Sequence, residues 1–441
     1  METSHITRSR FDPTKQQITR SMRILHINSH DASGGAARAA MRLHLALLGQ
    51  GIPSRMFVEN RQSSDIEGIL EFKVPGNPSR MYWQILKKTM SRPILRAQKA
   101  SREIYDVFTD DRSPCGKAVL KQLPEHDIIN LHWIAGFIDY RDFFSCNRKR
   151  PIIWTLHDMN PFTGGCHYTN GCDNFTRQCG TCPQLNSSNP HDLSRRIWRR
   201  KQSSFTNIEP GRLHIVTPSE WLAREATRSS LMGRFPISCI PNCVDTNTYS
   251  PRDRSAARIA LGIPTDARVL LFVAASLDNR RKGFKKLLAV LEKLDSLTDL
   301  YLISLGKTGA GTLRHSSHLN LGNVSSDRLL ALVYNAADCF VIPSSEDNLP
   351  NTVLEAMSCG TPVAGFAVGG IPEMVASGST GILAEHGDIV GLSNAVRTIL
   401  TQKTLRETMS RACREAVLKE YTPELQAHRY LELYRQMGGG F

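Results

Sequence analysis

Two carboxylates, Asp347 and Glu355, stand eight positions apart around a helix start in SEDNLPNTVLEAMSCGTPVAGF (345–366). Pro350 breaks the chain, Asn351 can cap the helix, and Glu355 falls about one turn in, where a carboxylate can accept from vicinal hydroxyls. Carboxylates at helix starts often only complement the helix dipole. That covers Glu355 and leaves Asp347, out in the loop, without a reason. Upstream, VAASLDNRRKGFKKLL sets Arg281 and Lys282 before Gly283, past a strand end and at a helix start. Cations beside free helix amides suit a diphosphate, because each contact is charge-assisted. A solvated basic turn is the plainer reading. In NSHDASGGAARAAMR, Gly34 and Gly35 open a helix after a strand and let the backbone approach a phosphate or a reacting oxygen. This is not the G-x-G-x-x-G pattern, and a merely tight turn would look the same.

GGCHYTNGCDNFTRQCGTCPQL places Cys166, Cys172, Cys179 and Cys182 in one short insert that ends in a C-x-x-C pair. Four thiolates so spaced can close a structural zinc site and order a loop that has no core of its own. Disulfides and unpaired thiols are the competing readings. Four thiolates leave no open position, so no catalytic metal is expected there. Upstream of the insert, TLHD carries His157 at a strand end, where a lone histidine is more often structural.

The elements that must hold these residues alternate in type. MRILHINSH and the helical DASGGAARAAMRLHLALLGQG form a strand, turn and helix, the unit of an open parallel sheet. DIINLHWI and PIIWTLHD are the short apolar runs of strands buried on both faces. LHIVTPSEWLAREAT repeats strand to helix, with Ser219 as the helix cap. After PISCIPNCVDTNTYSPRDR the pattern restarts: ARVLLFVAAS, GFKKLLAVLEKL, DLYLISLG, DRLLALVYNAA and DCFVIPSS read as strand, helix, strand, helix, strand. Two such series predict an α/β protein of two doubly wound, Rossmann-like domains facing across a cleft. The expected division is a disordered leader at 1–21, a first domain at 22–235, a second at 236–420, and a terminal helix at 421–441 packing back on the first.

A chain of 441 residues exceeds one ordinary core, which agrees with two domains. No apolar run approaches a membrane span and the start lacks the apolar middle of a secretory signal, so the expected location is cytoplasmic. The excess of 55 Lys+Arg over 41 Asp+Glu favours anionic partners. Residues 73–102 contain no acidic side chain yet interleave Met81, Tyr82, Trp83, Ile85, Leu86, Ile94 and Leu95 with cations, a pattern that suits an anionic membrane surface. RRIWRRK, from Arg195 to Lys201, is read as adding to that face. Solvated helix faces would look similar.

SSEDNLPNTVLEAMSCGTPVAGFAVGGIPEMV, with RRKG upstream and IPNCVDTNTYSP at the crossover, resembles the retaining glycosyltransferases of family 4, which have the GT-B fold. The resemblance covers most of the chain from Met22 on and is most specific in the second half. It implies transfer from a nucleotide-sugar donor to a saccharide or lipid-linked acceptor, of the polysaccharide-biosynthesis type. The family's acidic pair is usually two glutamates with seven residues between; here Asp347 takes the first place. By resemblance Asp347 touches donor-sugar hydroxyls, Glu355 the ribose, and the amides of Asn348, Leu349 and Pro350's neighbourhood the sugar or phosphate. Lys282 matches the phosphate-binding Lys before Gly. Arg281 or Arg280 replaces an Arg that the family carries where this chain has Ala275-Ser276. The Gly34-Gly35 turn resembles the loop under the diphosphate, and His157 the cleft His near the transferred sugar. Retention needs no general base behind the sugar, so catalysis is expected from His157, Asp347 and Lys282 without a metal. Two alternatives remain: a basic zinc-knuckle protein binding nucleic acid, which leaves Asp347 and Glu355 unexplained, and a relative that binds sugar nucleotide without turnover. A phosphorylase of the same architecture would need a pyridoxal phosphate lysine, for which there is no signature.

Overall fold

The computed structural model describes residues 22–64, 66–75, 80–100, 105–146, 150–276, 279–307 and 317–438. The expected leader at 1–21 lies outside them. Among the described residues, thirteen strands fall into two sheets. The first holds β1 (Ile24–His30), β2 (Ser54–Asn60), β3 (Ile69–Glu71), β4 (Ile128–Leu131), β5 (Ile152–Thr155), β6 (Leu213–Thr217) and β7 (Ile237–Cys239), in the order β3-β2-β1-β4-β5-β6-β7. The second holds β8 (Arg268–Ser276), β9 (Leu300–Lys307), β10 (His318–Asn320), β11 (Cys339–Ile342), β12 (Val363–Phe366) and β13 (Gly381–Ala384), ordered β10-β9-β8-β11-β12-β13. All pairings between these strands are parallel.

Parallel strands with helices on both faces must be apolar throughout. β4, β5, β11 and β12 are buried at every position. Strand order reverses direction at β1/β4 in one sheet and at β8/β11 in the other. At such switch points the loops leaving the carboxyl ends splay apart and open a crevice. The Gly34 turn follows β1, His132 follows β4 and His157 follows β5. Lys282 follows β8 and Asp347 follows β11. Pairing of β8 with β11 therefore explains why a lysine and an aspartate from separate segments meet.

The helix Pro423–Gly438 buries Ala427, Tyr430, Leu433 and Tyr434 in a cluster with Ile24, Leu47, Ile128 and Ile153 of the first domain. Two phenols make that docking specific. Tyr430 shares a hydrogen bond with Thr155 (2.9 Å), and Asn130 Nδ2 donates to the Tyr434 hydroxyl (2.9 Å). Buried apolar area supplies the driving force here, and the paired polar groups set the register.

Candidate functional site

The loop from Pro343 to Pro350 and the turn Arg280–Gly283 are bound to each other before either meets a ligand. The Ser345 amide donates to the Arg281 carbonyl at 2.7 Å, and the Gly370 amide to the Asp347 carbonyl at 3.0 Å. Gly283 has φ +77°, and a Cβ there would lie 1.9 Å from the Pro343 carbonyl oxygen. Gly369, at φ +58°, would place a Cβ 1.8 Å from the Asp347 carbonyl oxygen. Only glycine permits these approaches.

Within that frame Lys282 Nζ donates to Asp347 Oδ2 at 2.7 Å, and Ser344 Oγ to the same oxygen at 3.2 Å. Arg281 Nη1 lies 3.3 Å from Asp347 Oδ1 and donates to the Glu346 carbonyl at 2.8 Å. Burial works to raise the Asp347 pKa, but the Lys282 and Arg281 charges outweigh it, so the carboxyl sits below its usual range. Burial likewise lowers the Lys282 pKa against the pull of Asp347. Asp347, Arg281 and Lys282 thus form one ion-paired cluster, and Arg280 is exposed. Asp347 is 4% exposed, so the position that looks like an open loop in the sequence is a sheltered acid held by two cations.

The helix Asn351–Ser358 begins without a side-chain cap, and Asn351 is not one. This corrects the sequence expectation. Its side chain crosses to the first domain instead: Asn351 Nδ2 donates to the Gly35 carbonyl at 2.9 Å, and its Oδ1 accepts from Asn242 Nδ2 at 3.3 Å. Helix α1 (Gly35–Gly49), preceded by Gly34 at φ +90°, also starts without a side-chain cap. Neither helix has an acidic residue in its first turn. Two helix starts without side-chain caps therefore meet side by side where the domains touch, a setting that favours anions. Asn348 links the same loop to the first domain, donating from Nδ2 to the His157 carbonyl (3.2 Å) and accepting at Oδ1 from Ser219 Oγ (2.5 Å). Leu349 is buried beside it. Ser219 also caps its own helix, accepting from the Leu222 amide, as expected.

Glu355 is 3% exposed and faces Arg42 of α1, with Nη2 2.6 Å from Oε1, while the Tyr334 hydroxyl donates to Oε2 at 3.0 Å. His157 is drawn down to a pKa of about 4, because burial disfavours its charge more than Asp158 supports it. It is not alone: its Nε2 lies 3.0 Å from His132 Nδ1.

Sequence reasoning missed several groups in the cleft. Asp106 pairs with Arg281 Nε and accepts from Asn279 Nδ2 at 3.1 Å. The Tyr168 ring lies 3.9 Å from the Arg281 guanidinium carbon, and Tyr105 donates to Glu346 at 3.3 Å. Only the excess of cations in RRKG hinted that acidic and aromatic partners must exist elsewhere.

Tyr168 belongs to the cysteine insert, as does Asn170, whose amide donates to Glu346 at 3.0 Å. The insert therefore contributes to the wall of the cleft. Cys166, Cys172, Cys179 and Cys182 all line one cavity of ≈ 20 Å³ and are free thiols. Burial raises Cys179 to about 12 and Cys182 to about 11, opposed by backbone amides, Gly164 toward Cys179 and Leu185 and Gln184 toward Cys182. Among the described residues no group of three or more His, Cys, Asp and Glu stands ready to hold a metal ion. Non-glycine residues at positive φ in the described chain are Asn170, Thr181 and Asn186, all in or beside this insert.

Of the five cations in Arg195–Lys201, only Arg196 and Arg199 are exposed, so the expected surface cluster is reduced to these two. Arg195 is buried, Arg200 pairs with Asp110 and Asp111, and the buried Lys201 Nζ donates to backbone carbonyls of Asn160 and Thr163. Burial lowers its pKa to about 8.

Two parallel-sheet domains with their carboxyl ends turned to a common cleft define the GT-B fold. Residues 253–416, which hold Lys282, Asp347 and Glu355, match the family described as Glycosyl transferases group 1. The chain is 26% identical over 353 residues to a putative colanic acid biosynthesis glycosyl transferase, WcaC, of Escherichia coli (strain K12), covering 78% of this chain and 82% of that one. It is 32% identical over 213 residues to the D-inositol 3-phosphate glycosyltransferase of Mycolicibacterium smegmatis, covering 46% and 48%, so it spans about half the length of that relative. The solved structure of Anabaena HepE in complex with UDP-glucose superimposes with a TM-score of 0.60 at 14% identity, over 94% of this chain and 100% of that one.

Proposed function

We propose that the protein is a retaining glycosyltransferase that moves a hexosyl group from a nucleoside-diphosphate sugar to a saccharide or lipid-linked acceptor during surface polysaccharide assembly. One observation carries the reading: two helix starts without side-chain caps meet where the domains touch, and the loop leading into one of them carries Asp347, paired with Lys282 and Arg281, and reaches the His157 carbonyl through Asn348. The relative named for colanic acid biosynthesis and the neighbour solved with UDP-glucose support it. The diphosphate would lie between the Gly34-Gly35 turn and Lys282, with Arg281 on its other side. Asp347 and the Asn348–Pro350 backbone would meet the sugar, and Glu355 the ribose. Charge developing on the leaving diphosphate is then stabilised by cations and amides already in place. That same phosphate accepts the proton of the incoming hydroxyl on the face from which it departs. No catalytic metal enters this scheme. Closing the domains excludes water, which would otherwise hydrolyse the donor.

The lipid-linked acceptor finds support in helix α2 (Arg80–Ala100), which leaves Met81, Tyr82, Ile85 and Leu95 exposed between cations. No helix among the described residues is long and apolar enough to cross a membrane. The location we propose is cytoplasmic, with α2 resting on the inner face of the membrane. For the insert we propose a structural zinc ion, toward which the four thiols lining the cavity would draw together. Donor amides already aimed at sulfur favour the thiolate such a site requires.

Calorimetric titration with a panel of nucleoside-diphosphate sugars, repeated on Lys282→Ala, tests the donor site. One donor class should bind, and the variant should bind it more weakly. Equal binding by both proteins, or none across the panel, would remove the site.

A further inference from the structure

Three imidazoles stand in a row across three adjacent strands. His26 lies on β1, His132 one residue past β4 and His157 two past β5, and β4 pairs with both neighbours. His26 Nδ1 is 2.9 Å from His132 Nε2, and His132 Nδ1 is 3.0 Å from His157 Nε2. Ring centroids are 5.2 and 5.3 Å apart. Burial lowers the pKa of each ring, so all three are neutral near pH 7. A neutral imidazole carries one N–H and one lone pair, so each link holds one proton. Fixing the proton at one end of the row fixes it at every position.

The inner end decides. His26 Nε2 is buried and has no hydrogen-bond partner among the described residues. The neighbouring His44 offers no acceptor, since its Nδ1 meets Ser54 Oγ at 2.7 Å and its Nε2 the Glu67 carbonyl at 3.1 Å. A proton on His26 Nε2 would be an orphaned buried donor, which folded proteins avoid more strictly than an unused lone pair. His26 therefore carries its proton on Nδ1 and donates to His132. His132 must then carry its own on Nδ1 and donate to His157. The His157 proton is left for Nδ1, which has no partner among the described residues and is not among the sealed, unsatisfied atoms.

We propose that this row is an oriented positioning chain that holds His157 as the Nδ1–H tautomer, so that it presents a hydrogen-bond donor, and never a base, to the cleft. Its Nε2 lone pair is already taken by His132, so protonating His157 from the cleft would require the row to reverse. On the reading given above, the oxygen that accepts from Nδ1 is a hydroxyl of the transferred sugar, and the row itself does not depend on that reading. His26 and His132 are positioning residues that act through His157.

The test is a two-bond ¹H–¹⁵N correlation spectrum of the full chain labelled at histidine, recorded at neutral pH without added ligand. The His157 signals are assigned by their loss in His157→Gln or by correlation to the assigned backbone. The expected result is a protonated Nδ1 and an unprotonated Nε2 in His26, His132 and His157. A His157 protonated at Nε2, or averaged between the two nitrogens, overturns the proposal. A second arm uses His26→Phe, remote from the cleft: His157 should lose its single tautomer. With a donor that the wild type uses, kcat should fall about tenfold while KM changes by about twofold or less. An unchanged kcat with an unchanged spectrum also overturns it. Absence of turnover with every donor would tell against the transferase reading alone, since the spectrum is read without substrate.

Discussion

Arg42 and Glu355 form a buried ion pair, 2.6 Å apart, between α1 of the first domain and the Asn351–Ser358 helix of the second. Arg42 also donates to the Cys243 carbonyl at the crossover (3.4 Å), and Glu355 accepts from Tyr334. The pair therefore ties together both domains and the strap between them. Removing one partner leaves a desolvated charge, whereas replacing both by apolar groups need not. Glu355→Ala should cost about 3–5 kcal/mol in chemical denaturation, and Arg42→Met with Glu355→Leu markedly less than the sum of the single changes. Additive costs would show that the pair does not couple the domains. Loss of donor binding in Glu355→Ala has to be read against this structural role.

Lys282 offers a cleaner probe of the anion site, because its ammonium is partly open to the cleft and its partner Asp347 keeps Arg281 and Ser344. Lys282→Ala should raise the donor Kd about 10- to 100-fold by calorimetry, the loss of one to two charge-assisted hydrogen bonds. Lys282→Arg should recover part of it. A variant that binds donor as tightly as the wild type would place the diphosphate elsewhere.

The alternation of strands and helices was legible because parallel strands buried on both faces read as largely apolar runs, as in CFVI and RVLLFVAAS. The edge strands β3, β7 and β10 have three residues each and leave no such signature. Lys282 and Asp347 were legible as a site because each follows a central strand of one sheet. Asp106, Tyr168 and Arg42 were not, since their partners belong to other segments and are chosen by how the domains face. The same limit explains RRIWRRK: Arg200 looked free only because Asp110 and Asp111 lie far back in the chain. Asn351 has the right type for a cap, and the competing carbonyl of Gly35 became visible only in three dimensions.

Buried neutral histidines set the response to acid. His157 and His214 are both brought down to about 4 by burial, and His26, His44 and His132 are lowered as well. The unfolded chain binds these protons near the ordinary pKa of about 6.5, before the folded chain can. Stability should therefore be level above about pH 6.5 and fall as pH drops toward about 4, by up to about 1.4 kcal/mol per pH unit for each imidazole. Carboxylates held low, such as Asp347, lose their contribution only at still lower pH. Thermal unfolding followed from pH 8 to pH 4.5 checks this, and a melting temperature constant between pH 7 and pH 5 would contradict it.

The cysteine insert makes a compositional prediction. Protein purified under reducing conditions should hold about one zinc per chain, bound by four thiolates. Chelation should free four additional reactive thiols and loosen the loop that presents Tyr168 to Arg281. Cys182→Ser should lower the metal content and, through Tyr168, weaken donor binding. Zinc near zero with all four thiols reactive from the start would remove the metal from the proposal.

Asp106 of the first domain already neutralises Arg281, and this gives the prediction with the least ordinary sign. It is 8% exposed and pairs with Arg281 Nε, while Asp347, the Glu346 carbonyl and the Tyr168 ring hold the rest of the guanidinium. A diphosphate reaching Arg281 must therefore displace a carboxylate that is already neutralising it, and that displacement subtracts from the apparent affinity. Asp106→Asn keeps the side chain's size and its capacity to accept from Asn279 but drops the competing charge. Donor Kd should fall about 3- to 10-fold, while thermal stability drops by about 1–3 kcal/mol, less than for a fully broken buried pair because Asp347 remains. Calorimetry and thermal unfolding on the same preparation read the two changes together. Weaker donor binding in Asp106→Asn would mean instead that Asp106 orients Arg281 for the phosphate, and the competition argued here would be wrong.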